Sequence, residues 1–184
     1  MEGYKKNLYV GIIIVAGLLF PFLGYSQNSL PKDSINSVII VAAREIAKDA
    51  ATCTLITVDE DGVARARAMD AFEPEEDFVI WFGTNPNSRK VDQIQHNPLV
   101  SMYYFDKKTS SYVLLHGKAE IVDDAKEKEK HWKQEWQAFY PNYPKGYLLI
   151  KVVPIWMEVV SESRGIVGDP TTWQPAIVRF NKIK

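Results

Sequence analysis

One β-run follows another between Thr52 and Val160, and that succession constrains the fold more than any other feature of the chain. Thr52–Val58 is β-branched and half apolar. Asp59-Glu60-Asp61-Gly62 has the residues of a hairpin turn, with glycine able to take the positive φ such turns require. Val63–Ala71 then alternates, placing Val63, Arg65, Arg67 and Met69 on one face and Ala64, Ala66, Ala68 and Asp70 on the other. Phe78–Phe82, Leu99–Phe105, Tyr112–Val122 and Tyr147–Val160 have the same character. Gly117 interrupts the fifth run and predicts a bulge or a close backbone approach, and Pro154 predicts an edge or a bulge in the sixth. Helical periodicity is confined to Ile35–Asp49, a short piece from Lys90 to Gln95 stopped by Asn97-Pro98, and Asp123–Phe139. No βαβ rhythm is present. About six strands in meander order with flanking helices predict a mainly β (α+β) domain, a six-stranded antiparallel barrel, closed or split.

A chain of 184 residues is sized for one domain with a substantial core. The net charge of −1 and the lack of a basic run argue against a nucleic-acid surface. The single cysteine, Cys53, lies in an apolar run and is expected to be a small core residue. At the N-terminus, Lys5 and Lys6 precede an apolar stretch from Leu8 to Leu23, then Gly24-Tyr25-Ser26 and polar Gln27. This is the pattern of a signal peptide spanning 1–26, cleaved after Ser26; the competing reading is an N-terminal membrane anchor. The mature domain, 27–184, would have a core from 35 to 160 and a tail from 161 to 184. It would be exported, periplasmic or secreted, and would keep no membrane span after cleavage.

The candidate site is the stretch Trp81–Lys90, where an apolar strand runs through a polar turn into Ser88-Arg89-Lys90 at the start of a helix. Helix N-termini favour anions through their free N–H groups and dipole, and the cations add to this. Taken alone, the triplet reads as a surface turn with a solvated Arg-Lys pair. Arg65 and Arg67, on a strand expected to lie nearby, would bring a forked donor to the same place. The other constellations carry little chemistry. His96, His116 and His131 lack metal-ligand spacing, so no metal site is expected. No side chain stands out as a general acid or base. Trp132, Trp136 and Phe139 share helical spacing and are expected in the core or a dimer contact.

Arg67-Ala68-Met69, Phe82-Gly83-Thr84, Ser88-Arg89-Lys90, Asn97-Pro98-Leu99-Val100-Ser101 and His116-Gly117-Lys118-Ala119-Glu120 occur in this order. In this respect the chain resembles the pyridoxamine 5′-phosphate oxidase-like family of FMN-binding split barrels, and most of all its general stress protein 26-like branch. The resemblance covers Ile35–Glu158. It implies a homodimer with flavin at the subunit interface, FMN or, as the alternative, FAD. Arg67, Ser88, Arg89 and Lys90 would clamp the FMN phosphate. Ala68, Met69 and Asp70 would line the isoalloxazine, and Gly83 and Thr84 the ring and ribityl chain. Tyr112 falls near a ring-contacting position, and Trp156 or Trp173 would cover the flavin from the partner subunit.

Two departures bear on the substrate. Phe72 stands where the oxidase has a substrate-phosphate lysine, and the oxidase's C-terminal Arg-x-His motif is absent from Ser161–Asp169. The expectation is therefore a flavin-dependent oxidoreductase, exchanging electrons with a small-molecule donor or acceptor, that does not oxidise pyridoxamine phosphate. The alternatives are a non-catalytic, stress-related carrier that holds flavin or haem, and a structural dimer that has lost its cofactor.

Overall fold

The computed structural model describes residues 32–180. The expected signal peptide and its cleavage site lie outside the described residues. Among those residues no helix is long and apolar enough to cross a membrane.

The element order is α1 (Lys32–Ala50), β1 (Cys53–Val58), β2 (Ala64–Met69), β3 (Ile80–Thr84), α2 (Arg89–His96), β4 (Leu99–Asp106), β5 (Ser111–Val122), α3 (Ala125–Lys130), β6 (Leu148–Val160) and β7 (Ala176–Arg179). All strand pairs are antiparallel, and the sheet runs β2-β1-β4-β5-β6-β3 with β7 added to β6. Its two ends meet through a bridge between Ala71 and Phe82 and a bond from the Phe72 N–H to the Trp81 carbonyl (2.9 Å). The six expected runs are all strands. The seventh strand lies in the tail, where Ala-Ile-Val-Arg is too short for its alternation to register in sequence.

Strand alternation explains the core. Cys53, Leu55, Met102, Tyr104, Val113, Leu115, Met157 and Val159 point inward and are covered by α1 through Ile39, Ala42, Ala43 and Ile46. Burial pushes the Cys53 thiol up to about 12, so it is an inert core group, as its apolar setting predicts. β3 is buried on both faces. Ile80 and Phe82 enter the barrel core, while Val79 and Trp81 join Trp136, Tyr147 and Leu149 in a second cluster.

That second cluster corrects one expectation. Asp123–Phe139 is not one helix: α3 ends at Lys130 and a separate 3-10 turn covers Gln134–Ala138. The Tyr147 hydroxyl donates to the His131 carbonyl at 2.5 Å, at the point where the helix stops. The break lets Trp132 and Trp136 spread around Tyr147, with ring centroids 5.3 and 6.2 Å away, instead of stacking on one helical stripe. Phe139 stays outside and exposed.

Gly117 lies at a register shift between His116 and Gly117, opposite Pro154. The proline pairs with Gly117 at this shift, between the stretch of β6 paired with β3 and the stretch paired with β7, and a bulge of this kind is where a strand tolerates proline. A Cβ on Gly117 would sit 2.6 Å from the Val153 carbonyl oxygen and 2.8 Å from Val152 Cγ1. The first of these is backbone and has nowhere to move. Gly117→Ala is therefore expected to lose about 1–3 kcal/mol of stability in urea unfolding, the range for overpacked cores.

Candidate functional site

Three cations converge where β2 passes the start of α2. Arg67 projects from β2 on the same side as its cross-strand partner Leu55, a core residue. Its Nη1 donates to Thr57 Oγ1 at 2.7 Å and its Nη2 to Gln93 Oε1 at 2.9 Å. Thr57 Oγ1 is 2.6 Å from the same Gln93 oxygen. Lys90 is half-buried, and its Nζ donates to Ser88 Oγ at 2.7 Å. Ser88 occupies the cap position of α2, but its side chain makes no cap bond, so the hydroxyl stays with Lys90.

Both Arg67 and Lys90 are held below their ordinary pKa values. Burial is the larger cause for each; the second is Arg89 for Arg67, and Arg67 for Lys90. The three positive groups thus feel one another. Among the described residues none of them forms an ion pair. Arg65, by contrast, is spent on Asp59 (2.6 Å), which also accepts the Val63 N–H and closes the hairpin turn. The strand thus has one neutralised and one available arginine, a distinction the alternation pattern does not make.

The remaining candidates are distributed around this cluster. Ala68 is exposed on the outer face of β2, and Met69 packs against the core. Asp70 pairs with Lys133 (2.8 Å) and accepts Trp136 Nε1 (3.2 Å). Gly83 is buried beneath aromatic rings: a Cβ there would meet Trp136 and Tyr147 at 2.5 and 2.6 Å. Thr84 closes β3 on the barrel side, buried. Tyr112 and Trp156 lie half-buried on the outer sheet face, Tyr112 against Tyr103 (5.5 Å) and Trp156 stacked on His116 (5.3 Å). Trp173 is 86% exposed at φ +60° in a turn closed by its N–H to the Asp169 carbonyl. None of these three touches the cations within one chain.

Thr57 and Gln93 were not among the candidates. Their signal was a polar residue at an inward position: Thr57 continues the Cys53, Leu55 row, and Gln93 sits between buried Val91 and Ile94.

A family model described as "Pyridoxamine 5'-phosphate oxidase like" matches residues 40–156. No curated protein matches the chain. Among solved structures, general stress protein 26 from Bacillus anthracis str. Sterne is 26% identical, covering 79% of this chain and 98% of its own, with a TM-score of 0.59. A protein related to general stress protein 26, from Clostridium acetobutylicum, is 19% identical over 81% and 99% of the two chains, TM-score 0.63. A pyridoxamine 5′-phosphate oxidase-related, FMN binding protein from Nostoc punctiforme PCC 73102 is 17% identical over 77% and 95%, TM-score 0.54.

Burial of the cations, and after it the crowding of like charges, makes the cluster a stability cost. Because the folded pKa of Lys90 lies below its ordinary 10.5, the cost is fully present at neutral pH. It is relieved as pH rises through the folded value toward 10.5, where the unfolded chain binds more protons than the folded one. Lys90→Met is expected to stabilise the ligand-free protein at pH 7 by a few tenths to about 1 kcal/mol, with the gain shrinking as pH approaches 10.5. Chemical denaturation at a series of pH values checks both the sign and the trend.

Proposed function

The chain belongs to the pyridoxamine 5′-phosphate oxidase-like family, and on that premise we propose that it binds FMN by its phosphate and works as a flavin-dependent oxidoreductase. The observation that carries this reading is the charge imbalance: Arg67, Arg89 and Lys90 crowd together and, among the described residues, no carboxylate is paired to any of them. A folded chain gains nothing from such a cluster unless an anion completes it, and a phosphate dianion with several acceptor oxygens fits forked arginine donors, an ammonium, a hydroxyl and a helix N-terminus. The FMN binding named for the Nostoc punctiforme protein agrees with this.

In this reading Arg67, Ser88, Arg89 and Lys90 hold the phosphate, and the first turn of α2 adds its backbone N–H groups. The backbone of Ala68–Asp70 and the Gly83–Thr84 end of β3 border the ring. Gly83 contributes backbone alone, since its side-chain space is taken by Trp136 and Tyr147. When bound, flavin supplies hydride or single-electron transfer, and the protein supplies placement and electrostatics.

The substrate is not pyridoxamine phosphate. At position 72 the aromatic ring packs edge-on to His131 (5.1 Å) and Trp136 (5.4 Å), in place of the lysine a second phosphate would need. The working form is a homodimer. The outer face of the sheet presents Ile56, Tyr103, Phe105, Leu114, Trp156 and Ile177, with Phe105 46% and Ile177 42% exposed. An apolar face of that kind marks an association surface, and burying it would bring a partner's Tyr112 and Trp156 with it. With the leader Met1–Ser26, the protein acts outside the cytoplasmic membrane.

The test is a titration of the purified protein with FMN, FAD and riboflavin, followed by addition of NADH or NADPH. FMN is expected to bind at least about tenfold tighter than riboflavin, because charge-assisted bonds to the phosphate exist for FMN alone. Arg67→Ala and Lys90→Ala should abolish that preference. Equal affinity for FMN and riboflavin would remove the phosphate-clamp reading, and a bound flavin that no nicotinamide nucleotide reduces would remove these two donors.

A further inference from the structure

The cation cluster raises a question of its own: what holds Arg67 in place, given that no carboxylate does. Arginine is usually fixed by an acidic partner, and here the side-chain partners are a threonine and a glutamine, on β1 and α2, with the Leu55 carbonyl as a longer contact at 3.5 Å. The hydrogen-bond directions follow from the chemistry. A guanidinium donates and never accepts, so the Gln93 atom facing it is the carbonyl oxygen, and Thr57 Oγ1 accepts from Arg67 Nη1. Having accepted there, the Thr57 hydroxyl spends its own hydrogen on Gln93 Oε1 at 2.6 Å. The three groups close a ring of bonds in which Arg67 is oriented and its charge left whole. Gln93 is 9% exposed and Thr57 fully buried, so both are fixed by packing. Among the described residues no protein acceptor takes the Gln93 Nε2 hydrogens, and Gln93 lines a cavity of about 480 Å³ that it shares with Arg65, Arg89 and the carboxylates of Asp59, Glu60, Asp61 and Asp92.

Resting on the FMN-phosphate reading, we infer that Thr57 and Gln93 are positioning residues that aim Arg67 at the phosphate, and that their neutrality sets the site's preference for phosphorylated flavin. A glutamate at position 93 would have nearly the same shape and could accept the same two bonds. It would also pair with the guanidinium, and the carboxylate would then compete with the phosphate for it. Neutral partners give the geometry of an ion pair while leaving the positive charge for the ligand.

The two roles open to Gln93 separate in one experiment. Wild type, Gln93→Glu and Thr57→Val are compared by three measurements: affinity for FMN, affinity for riboflavin, and thermal midpoint of the ligand-free protein. For Gln93→Glu the expectation is a loss of about ten- to a hundredfold in FMN affinity, the scale of a hydrogen bond to a charged group. Riboflavin affinity should be unchanged, and the ligand-free midpoint equal to or above wild type, because the new carboxylate relieves the cation cluster. Thr57→Val should lose FMN affinity by a smaller factor, again sparing riboflavin, and serves if the glutamate variant does not fold. Equal losses of FMN and riboflavin with a lowered midpoint would show Gln93 to be merely structural and overturn the inference. So would FMN affinity at the wild-type level in both variants. A wild type that does not distinguish FMN from riboflavin would instead defeat the underlying phosphate reading.

Discussion

The structure turns on a group of positive charges kept close together with no ion-pair partner among the described residues. Burial lowers the pKa of both Arg67 and Lys90, and their neighbours add to it: Arg89 lowers Arg67, and Arg67 lowers Lys90. Partly buried charges left unpaired are costly, and the cost is greater when they repel. The fold holds them there by neutral means, through Thr57 and Gln93 for Arg67 and Ser88 for Lys90. In the proposed reading, the FMN phosphate would supply the negative charge that the protein withholds.

Much of the barrel serves this placement. Arg67 comes from β2 and Ser88-Arg89-Lys90 from the turn after β3, the two ends of the sheet path, which meet at the Ala71–Phe82 bridge. β3 is fixed from both sides. Phe82 is buried in the barrel core, while the Tyr147 and Trp136 rings close over Gly83. Residues distant in sequence thus set where the turn delivers its cations. The break in the α3 region belongs to the same arrangement, because it carries Trp136 and Lys133 to Asp70.

Sequence alone carried the strands well. Cys53–Val58 and Leu99–Asp106 alternate clearly, the hairpin glycine is where the turn needs it, and Gly117 and Pro154 signalled the bulge that they occupy opposite each other. The misses share a cause. Whether Trp132 and Trp136 continue a helix depends on Tyr147, and a helical period contains no information about a tyrosine on another element. The short β7 exists because β6 offers an edge to pair with. At the site, the charged residues were legible by type and order. Thr57 and Gln93 were not, because a buried hydroxyl and a buried amide announce themselves only once their partners are known. The same holds for Arg65 and Arg67, which are identical in sequence character and are separated by where Asp59 sits.

The most direct test of the account is a crystal structure of the protein grown with FMN. The account predicts the flavin phosphate within hydrogen-bond distance of Arg67 and Lys90, with Thr57 and Gln93 still bonded to Arg67 as they are without ligand. A flavin bound elsewhere, or one whose phosphate lies in solvent away from these cations, would contradict it.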